Sequence, residues 1–548
     1  MARAARSNAG SKHQWILLAL AVPLQMLTLY AVPLVFECDA AAYYNFSVSG
    51  TYRPPLFPAF LWLTGQYHLQ SFVGTVVAHA ALGVVAPLLL YRIVAVWARG
   101  PAFLAALLYT LSLVPFTAAK LMLSEQLFTT FVLGSLVLLS SYVAGAPRHW
   151  FVWSVVCALG AMFTRWEGQA LLGAVLLCGA VLAWRRRDVK GLALGLVLVL
   201  LTCGGWSMYR AIALKDARVF GTLNNGSGDQ LYWQMYGYMS PEVYGWERYL
   251  ASDPAPAPVL AERAAAYRVL RPDAGPAASE LADRIRQIAK ARPDEDVLGA
   301  RTVGGEKGGY FTRLGGDPDR LVQDIFSAPS STYVFSVPAE LRRELGPRDS
   351  ERLLNRVNFE AIRAHPTFWL SKTVVALNYL GVFVPSPLAL LAGAPLTPKA
   401  MLMVQWDEIH YANVPFDLGQ CASGSLPARM LGEYRWDSRL PRSSARFVAL
   451  MSFARNVVRN VVGPIVLVLG LLALFTPAAL LYVTVAASAV VLIGVVAVLG
   501  GGVYTRYEYA VIPLLLVLFA GILQALGNGV HRLMPAGRRS LSQVDIQP

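Results

Sequence analysis

Charge is scarce in this chain. Asp, Glu, Lys and Arg make up 15% of its 548 residues, against about a quarter in ordinary soluble domains. Residues 461–505 carry no charge at all. Cysteine is also sparse: five residues scattered singly exclude a secreted disulfide scaffold. The seven histidines are dispersed, without the short spacings of a metal-ligand set. What fills the gap is apolar sequence, 56% of the chain with a mean hydropathy of +0.48, which excludes disorder and an ordinary soluble enzyme. Acid is rarer than base, leaving a formal charge of +14. Beside apolar segments such an excess reads as membrane topology, not as a nucleic-acid footprint.

Crossing a bilayer takes about 20 mostly apolar residues. The first such run is 15–36, behind Arg3, Arg6 and Lys12. It is longer than the apolar part of a signal peptide and lacks a small-x-small cleavage site, so an uncleaved span is expected. Further runs occupy 71–97, 101–119, 126–145, 150–164, 168–184 and 191–209. The uncharged stretch 461–505 is too long for one helix and divides at Thr476-Pro477, and a last span covers 507–526. The sum is ten, or twelve if the ambiguous segment 368–384 crosses together with the weak run after Pro387. The N-terminal arm, Arg92, Arg99, Arg148, Arg185, Arg186, Arg187 and Lys190 fall on one side when the spans alternate, and that side is expected to be cytoplasmic. Both termini then lie inside, although Arg446, Arg455 and Arg459 fall outside and resist the rule.

The expected fold is therefore an all-α polytopic membrane protein with an inserted, mostly helical extracytoplasmic domain. Its parts are a transmembrane module over 1–213 with a first external loop at 37–70, the extracytoplasmic domain at 214–366, an interfacial or re-entrant and second external region at 367–459, C-terminal spans at 460–530 and a cytoplasmic tail at 531–548. Helices are expected near 261–291 and 347–364.

Ionisable residues collect at the outer helix ends. Glu37, Cys38 and Asp39 follow the first span, and Tyr43, Tyr52 and Arg53 lie in the loop behind them. Lys120, Ser124 and Glu125 precede the fourth span, Arg165 and Glu167 separate the fifth and sixth, and Arg506, Tyr507 and Glu508 open the last. Taken singly, Arg165 with Glu167, or Arg506 with Glu508, could be a headgroup anchor or a mutual ion pair. Charges near a membrane usually pair or line a cavity, and four groups on one leaflet point to a polar site there.

The motifs "D-A-x-x-Y" (39–43), "Y-R-P-P-L-F-P" (52–58), "L-M-L-S-E-Q-L-F" (121–128), "R-W-E-G" (165–168) and "T-R-Y-E-Y-A-V-I-P" (505–513), in this order, resemble the GT-C superfamily of polytopic glycosyltransferases. Within it the chain is most similar to the bacterial protein-mannosyltransferase-like and aminoarabinose-transferase-like families, well over its first 210 or so residues and loosely over the last 50. The resemblance implies transfer of a sugar from a polyprenyl-phosphate donor to a glycan, lipid or protein acceptor outside the cytoplasmic (inner) membrane. It implies Asp39 as general base with Glu37 as second acid, and inversion at the anomeric carbon. An acceptor hydroxyl must lose its proton as it attacks, which a carboxylate can accept. The lipid phosphate leaving group gains charge that cations stabilise, for which Arg53, Lys120, Arg165 and Arg506 are the candidates. Tyr43, Tyr52, Glu125, Glu167 and Tyr507 would line the site. No cofactor is expected, nor a metal, though Glu37 and Asp39 could hold a divalent ion.

Other features have simpler readings. Tyr232, Trp233, Tyr236, Tyr238, Tyr244 and Trp246 suit headgroup anchoring better than sugar stacking. The glycines flanking Lys307 lack phosphate-loop spacing. Cys38 and Cys421 are both expected to face outward and could pair, and Asn45 and Asn225 sit in glycosylation patterns that mean little if the host is bacterial, as the resemblance implies. Cys157, Cys178 and Cys203 read as packing residues within spans. A lipid-linked-glycan flippase, the competing class, needs charges at mid-membrane depth, and the spans are almost free of them; a non-catalytic assembly subunit is a third reading. The orientation has a direct test. Alkaline phosphatase fused after residue 213 should be active and after residue 188 inactive, and the opposite pattern would invert the topology.

Overall fold

The computed structural model describes residues 2–31, 34, 43, 54–120, 122–187, 189–213, 275–291, 317–327, 331–364, 366, 427–439, 458–499 and 508–533. Among them there is no strand. The helices of the N-terminal bundle are α1 (Ala2–Ala31), α2 (Leu56–Leu63), α3 (Val73–Ala95), α4 (Arg99–Leu111), α5 (Val114–Thr117), α6 (Glu125–Val143), α7 (His149–Thr164), α8 (Gly168–Arg186) and α9 (Lys190–Ala213). Beyond it come α10 (Pro276–Ala291), α11 (Pro318–Ser327), α12 (Ser331–Ala364) and α13 (Ala428–Arg439), and then α14 (Gly463–Leu469), α15 (Ala479–Leu499) and α16 (Glu508–Leu533).

Among the described residues, six helical segments are long and apolar enough to cross a membrane: Lys12–Ala31, Val73–Ala95, Glu125–Val143, Gly168–Arg186, Lys190–Tyr209 and Tyr509–Gly529. α4 and the α5 segment pass the same test as a pair bent by 46°. The three remaining expected spans are helical but shorter: His149–Thr164, Gly463–Phe475 and Ala479–Gly494. α9 shows why lipid is needed, since Leu194, Val197, Leu200, Leu201 and Met208 lie exposed along it. Such a face is unstable in water and neutral in hydrocarbon.

Inside the bundle, small residues bring the backbones together. Ser135 of α6 donates to the Ser154 carbonyl of α7 at 2.9 Å, Ser154 returns the bond to the Ser135 carbonyl at 2.9 Å, and the two hydroxyls lie 3.1 Å apart. Beside them Gly160 accommodates the Phe131 ring and Gly134 faces the Cys157 sulfur. Cys178 and Cys203 are buried packing residues.

The span expected at 101–119 is not a simple rod. It breaks at Leu113, whose φ of 62° is left-handed. The Ser112 hydroxyl donates to the Tyr109 carbonyl at 2.7 Å and accepts the Val114 N–H at 3.4 Å, while Pro115 has no N–H with which to continue the helix. The chain then closes in a short 3-10 turn that ends at Lys120.

At the opposite end of the bundle, α6 is capped by a cation. Arg186 donates to the carbonyls of Tyr142 and Val143 at 3.1 and 2.9 Å, where the helix dipole favours positive charge. The helices expected at 261–291 and 347–364 are present in altered form: the described part of the first starts at Pro276, and the second continues a helix from Ser331 across a break at Gly346. α10 packs against α11 and α12, and the Glu360 carboxylate accepts the Ala277 and Ala278 N–H groups at 2.9 Å each. Residues 368–384, and with them the choice between ten and twelve crossings, lie outside the described residues.

The serine pair yields a measurable coupling. In a Ser135→Ala/Ser154→Ala double-mutant cycle, read by unfolding in mild detergent, the interaction energy should be about 0.5–1.5 kcal/mol; strictly additive losses would show that the pair contributes nothing.

Candidate functional site

The described ionisable residues from the sequence list do meet, at the end of the bundle where α1 finishes and α3 begins. Two groups form there.

The first is built by the turn between α7 and α8. Arg165 ends α7 in an extended conformation and Glu167 is the N-cap of α8. Gly168 makes so short a turn fit: a Cβ there would lie 2.4 Å from the Met162 nitrogen and 2.5 Å from the Ala161 carbonyl carbon. Both neighbours are backbone and cannot step aside. The turn sets Arg165 and Glu167 side by side, with Nη2 to Oε1 at 3.0 Å and Nε to Oε2 at 3.3 Å. Nη1 reaches Glu125 Oε1 at 2.5 Å and Ser124 Oγ at 3.5 Å. Glu125 lies in the first turn of α6, where the helix dipole favours an anion. All three side chains are nearly buried, at 11% exposure for Arg165, 3% for Glu125 and 1% for Glu167. One guanidinium thus serves two carboxylates, and the trio carries a formal charge of −1. The first loop joins through Tyr43, whose hydroxyl lies 3.2 Å from Ser124 Oγ and whose carbonyl accepts the Tyr67 hydroxyl at 2.7 Å.

A small, mainly apolar recess lies against this trio. Phe128 and Thr129 of α6, Leu492 of α15, and Tyr509 and Ala510 of α16 complete its lining. The Tyr509 hydroxyl is 2.8 Å from Thr117 Oγ1, which ties the start of α16 to α5.

The second group depends on α13, which the sequence reading left within a polar external region. Lys120 Nζ lies 2.5 Å from Asp437 Oδ1, with both side chains 10% exposed. Asp437 Oδ2 accepts the Leu34 N–H at 2.7 Å. One turn earlier, Glu433 accepts the Ser71 hydroxyl and the Phe72 N–H at 2.7 Å each, at the N-terminus of α3. Met430 is fully buried beside Tyr43, Phe57, Phe72 and Met122. α13 is therefore held by an apolar contact and two carboxylates against the end of the bundle.

Of the sequence candidates, Lys120, Arg165, Glu125, Glu167 and Tyr43 are brought to this end. Glu37, Asp39, Tyr52, Arg53, Arg506 and Tyr507 lie outside the described residues, as do Cys38, Cys421, Asn45, Asn225, the aromatic cluster 232–246 and the glycines around Lys307. Between Arg165 and Glu167 the structure shows the mutual ion pair. Asp437, Glu433, Thr129 and Tyr509 escaped the sequence reading; only Tyr509, inside "T-R-Y-E-Y", carried a signal. No three His, Cys, Asp or Glu side chains converge as a metal-binding group among the described residues. Comparison with family models, curated proteins and solved structures gave no match.

The buried pair makes a clear demand on stability. Lys120→Met should cost about 3–5 kcal/mol, because it strands the Asp437 charge in a dry site. Adding Asp437→Leu should recover much of that loss, as read by thermal unfolding in detergent. Equal stability of Lys120→Met and the parent would mean that the pair is solvated.

Proposed function

We propose that the chain is a membrane glycosyltransferase of the GT-C type, taking a sugar from a polyprenyl-phosphate carrier and delivering it to an acceptor at the outer face of the cytoplasmic membrane. One observation carries this reading. Residues from four separated motifs meet at one end of the bundle: Tyr43 with Ser124, Glu125 with Arg165, and Tyr509 against the same recess. A packed bundle has no need to gather acids, an arginine and tyrosines from four distant segments around one recess. The helix interiors also disfavour a transport path, since no Asp, Glu, Lys or Arg occupies the middle of a described candidate span.

In the proposed reaction, Asp39 accepts the acceptor hydroxyl proton while the acceptor oxygen bonds to the anomeric carbon from the face opposite the phosphate. The bond from that carbon to the phosphate oxygen breaks, and the carrier phosphate leaves with the electron pair. Asp39 is four residues from Tyr43, a stretch of chain that reaches about 14 Å at most, and Arg506 is three from Tyr509. The proposed base and one proposed phosphate cation are thus close in sequence to two residues of the site. Arg53 and Arg506 stabilise the departing phosphate, and Lys120 can join them by exchanging Asp437 for a phosphate oxygen. Arg165, occupied by Glu125 and Glu167, organises the acidic side of the site. Glu37 orients the acceptor or stands in as base.

The test is Asp39→Asn, which keeps shape and removes basicity. Transfer from a polyprenyl-phosphate sugar in proteoliposomes should fall by about a hundredfold or more, with insertion and unfolding temperature unchanged. Full activity in this variant would overturn the assignment of the base.

A further inference from the structure

The end of the bundle away from the acidic trio gathers cations without matching acids. α6 runs between the two ends, with Glu125 in its first turn and its last carbonyls capped by Arg186. Its 19 residues rise about 28 Å, close to the thickness of the hydrocarbon core. The second end therefore lies at the level of lipid phosphates. The turn from α8 to α9 is short there, because Arg187 takes a left-handed φ of 53° and α9 starts at Lys190. Arg148, the N-cap of α7, packs beside that turn: a Cβ on Gly191 would lie 3.4 Å from the Arg148 Cβ and 3.9 Å from the Tyr142 hydroxyl. Backbone geometry thus holds Arg148, Arg185 and Arg187 at one place, all three exposed. Among the described residues no carboxylate pairs with any of them. In the two connecting segments, 141–150 and 184–195, the sequence sets Arg148, Arg185, Arg186, Arg187 and Lys190 against a single acid, Asp188. At the trio end, by contrast, Arg165 and Lys120 are both paired with carboxylates.

Two apolar side chains stand uncovered beside these cations. Trp184 is 82% exposed and Val189 63%. An indole with an apolar ring and a wet N–H suits the headgroup layer, and like charges held together there draw counter-charge from lipid phosphate. Topology alone asks only for basic residues on one side of a span; it does not require a left-handed turn and a glycine contact that fix them beside one another. We infer that this end of the bundle is a binding site for anionic phospholipid, with Arg148, Arg185 and Arg187 on the headgroup phosphate and Trp184 against the upper acyl carbons. A zwitterionic headgroup brings its own cation into the cluster, so an anionic one is preferred. Arg186 stays on the α6 carbonyls. The site requires that the helices span a membrane and is independent of the transferase reading.

The experiment titrates the full chain in neutral detergent with phosphatidylglycerol or phosphatidylcholine and counts bound lipids by native mass spectrometry. The first phosphatidylglycerol should bind about tenfold more tightly than the first phosphatidylcholine. Arg185→Gln/Arg187→Gln should weaken that first step about tenfold, while Arg185→Lys/Arg187→Lys, which keeps the charge, stays within about threefold of the parent. Arg352→Gln/Arg363→Gln on α12 removes the same charge elsewhere and should change the step by about twofold or less. Among the described residues neither the Arg185 nor the Arg187 side chain makes a hydrogen bond or ion pair, so the lipid-free unfolding temperature of the glutamine variant should equal the parent's. Excess inorganic phosphate should not displace the lipid. Equal binding of the two lipids, or a loss in Arg185→Gln/Arg187→Gln no larger than in the α12 control, would overturn the site. Displacement of phosphatidylglycerol by inorganic phosphate would replace it with a site for free anions. Asp39→Asn should leave the first phosphatidylglycerol bound as in the parent, so failure of sugar transfer would remove the transferase reading and leave this site standing.

Discussion

Two glutamates and one arginine, almost without water, hold three helix ends together. Glu125 begins α6, Arg165 ends α7 and Glu167 caps α8. Two carboxylates gathered at one turn repel each other, and the Arg165 guanidinium, bonded to both, offsets that repulsion. The arginine in turn could not lie so deep without its partners. Each charge is thus a condition for the others. Their common geometry rests on a backbone contact, the approach of Gly168 to the last turn of α7. Sequence sets this local structure through one residue with no side chain, and the electrostatics follow.

The other half of the site is assembled from far away in the chain. Lys120 and Asp437 are 317 residues apart, and Ser71 and Glu433 are 362 apart. α13 brings both carboxylates down on one helical face, at positions four apart, so that a single docking event closes the N-terminus of α3 and neutralises Lys120. The apolar part of that docking, through Met430, keeps water from the pair and makes its Coulomb attraction count. It also makes the surroundings of Lys120 depend on α13, whose Asp437 pairs with it.

How much of this was legible in the sequence follows from the range of the forces concerned. All ten expected spans are helical where described, because hydrophobic length is a local property and every residue of a run reports it. The break between α14 and α15 falls at Thr476-Pro477 for the same reason, proline being a local stop. The kink at Leu113 was hidden, since leucine carries no preference for a left-handed φ and tertiary packing holds it there. α13 was hidden as well, because Glu433 and Asp437 are ordinary acids in a polar segment until Ser71 and Lys120 are placed beside them. Thr129 sits inside an apolar span and looked like filler. For Arg165 the residue type suggested a phosphate ligand, and the neighbours that occupy it come from a different helix.

The described ion pairs bear on which cations the proposed reaction could use. The departing carrier requires positive charge that is not already neutralised, because a cation shared between two carboxylates has little field left for a third anion. Arg165 is shared in this way, and Lys120 is paired with Asp437. Under the proposed reading, the remaining candidates are Arg53 in the first external loop and Arg506 in the segment before α16. Those segments bracket the recess in sequence, ahead of α2 and immediately before Tyr509. If the chain is the transferase proposed above, the carrier phosphate falls to Arg53 and Arg506, and the Glu125–Arg165–Glu167 trio serves to fix three helix ends.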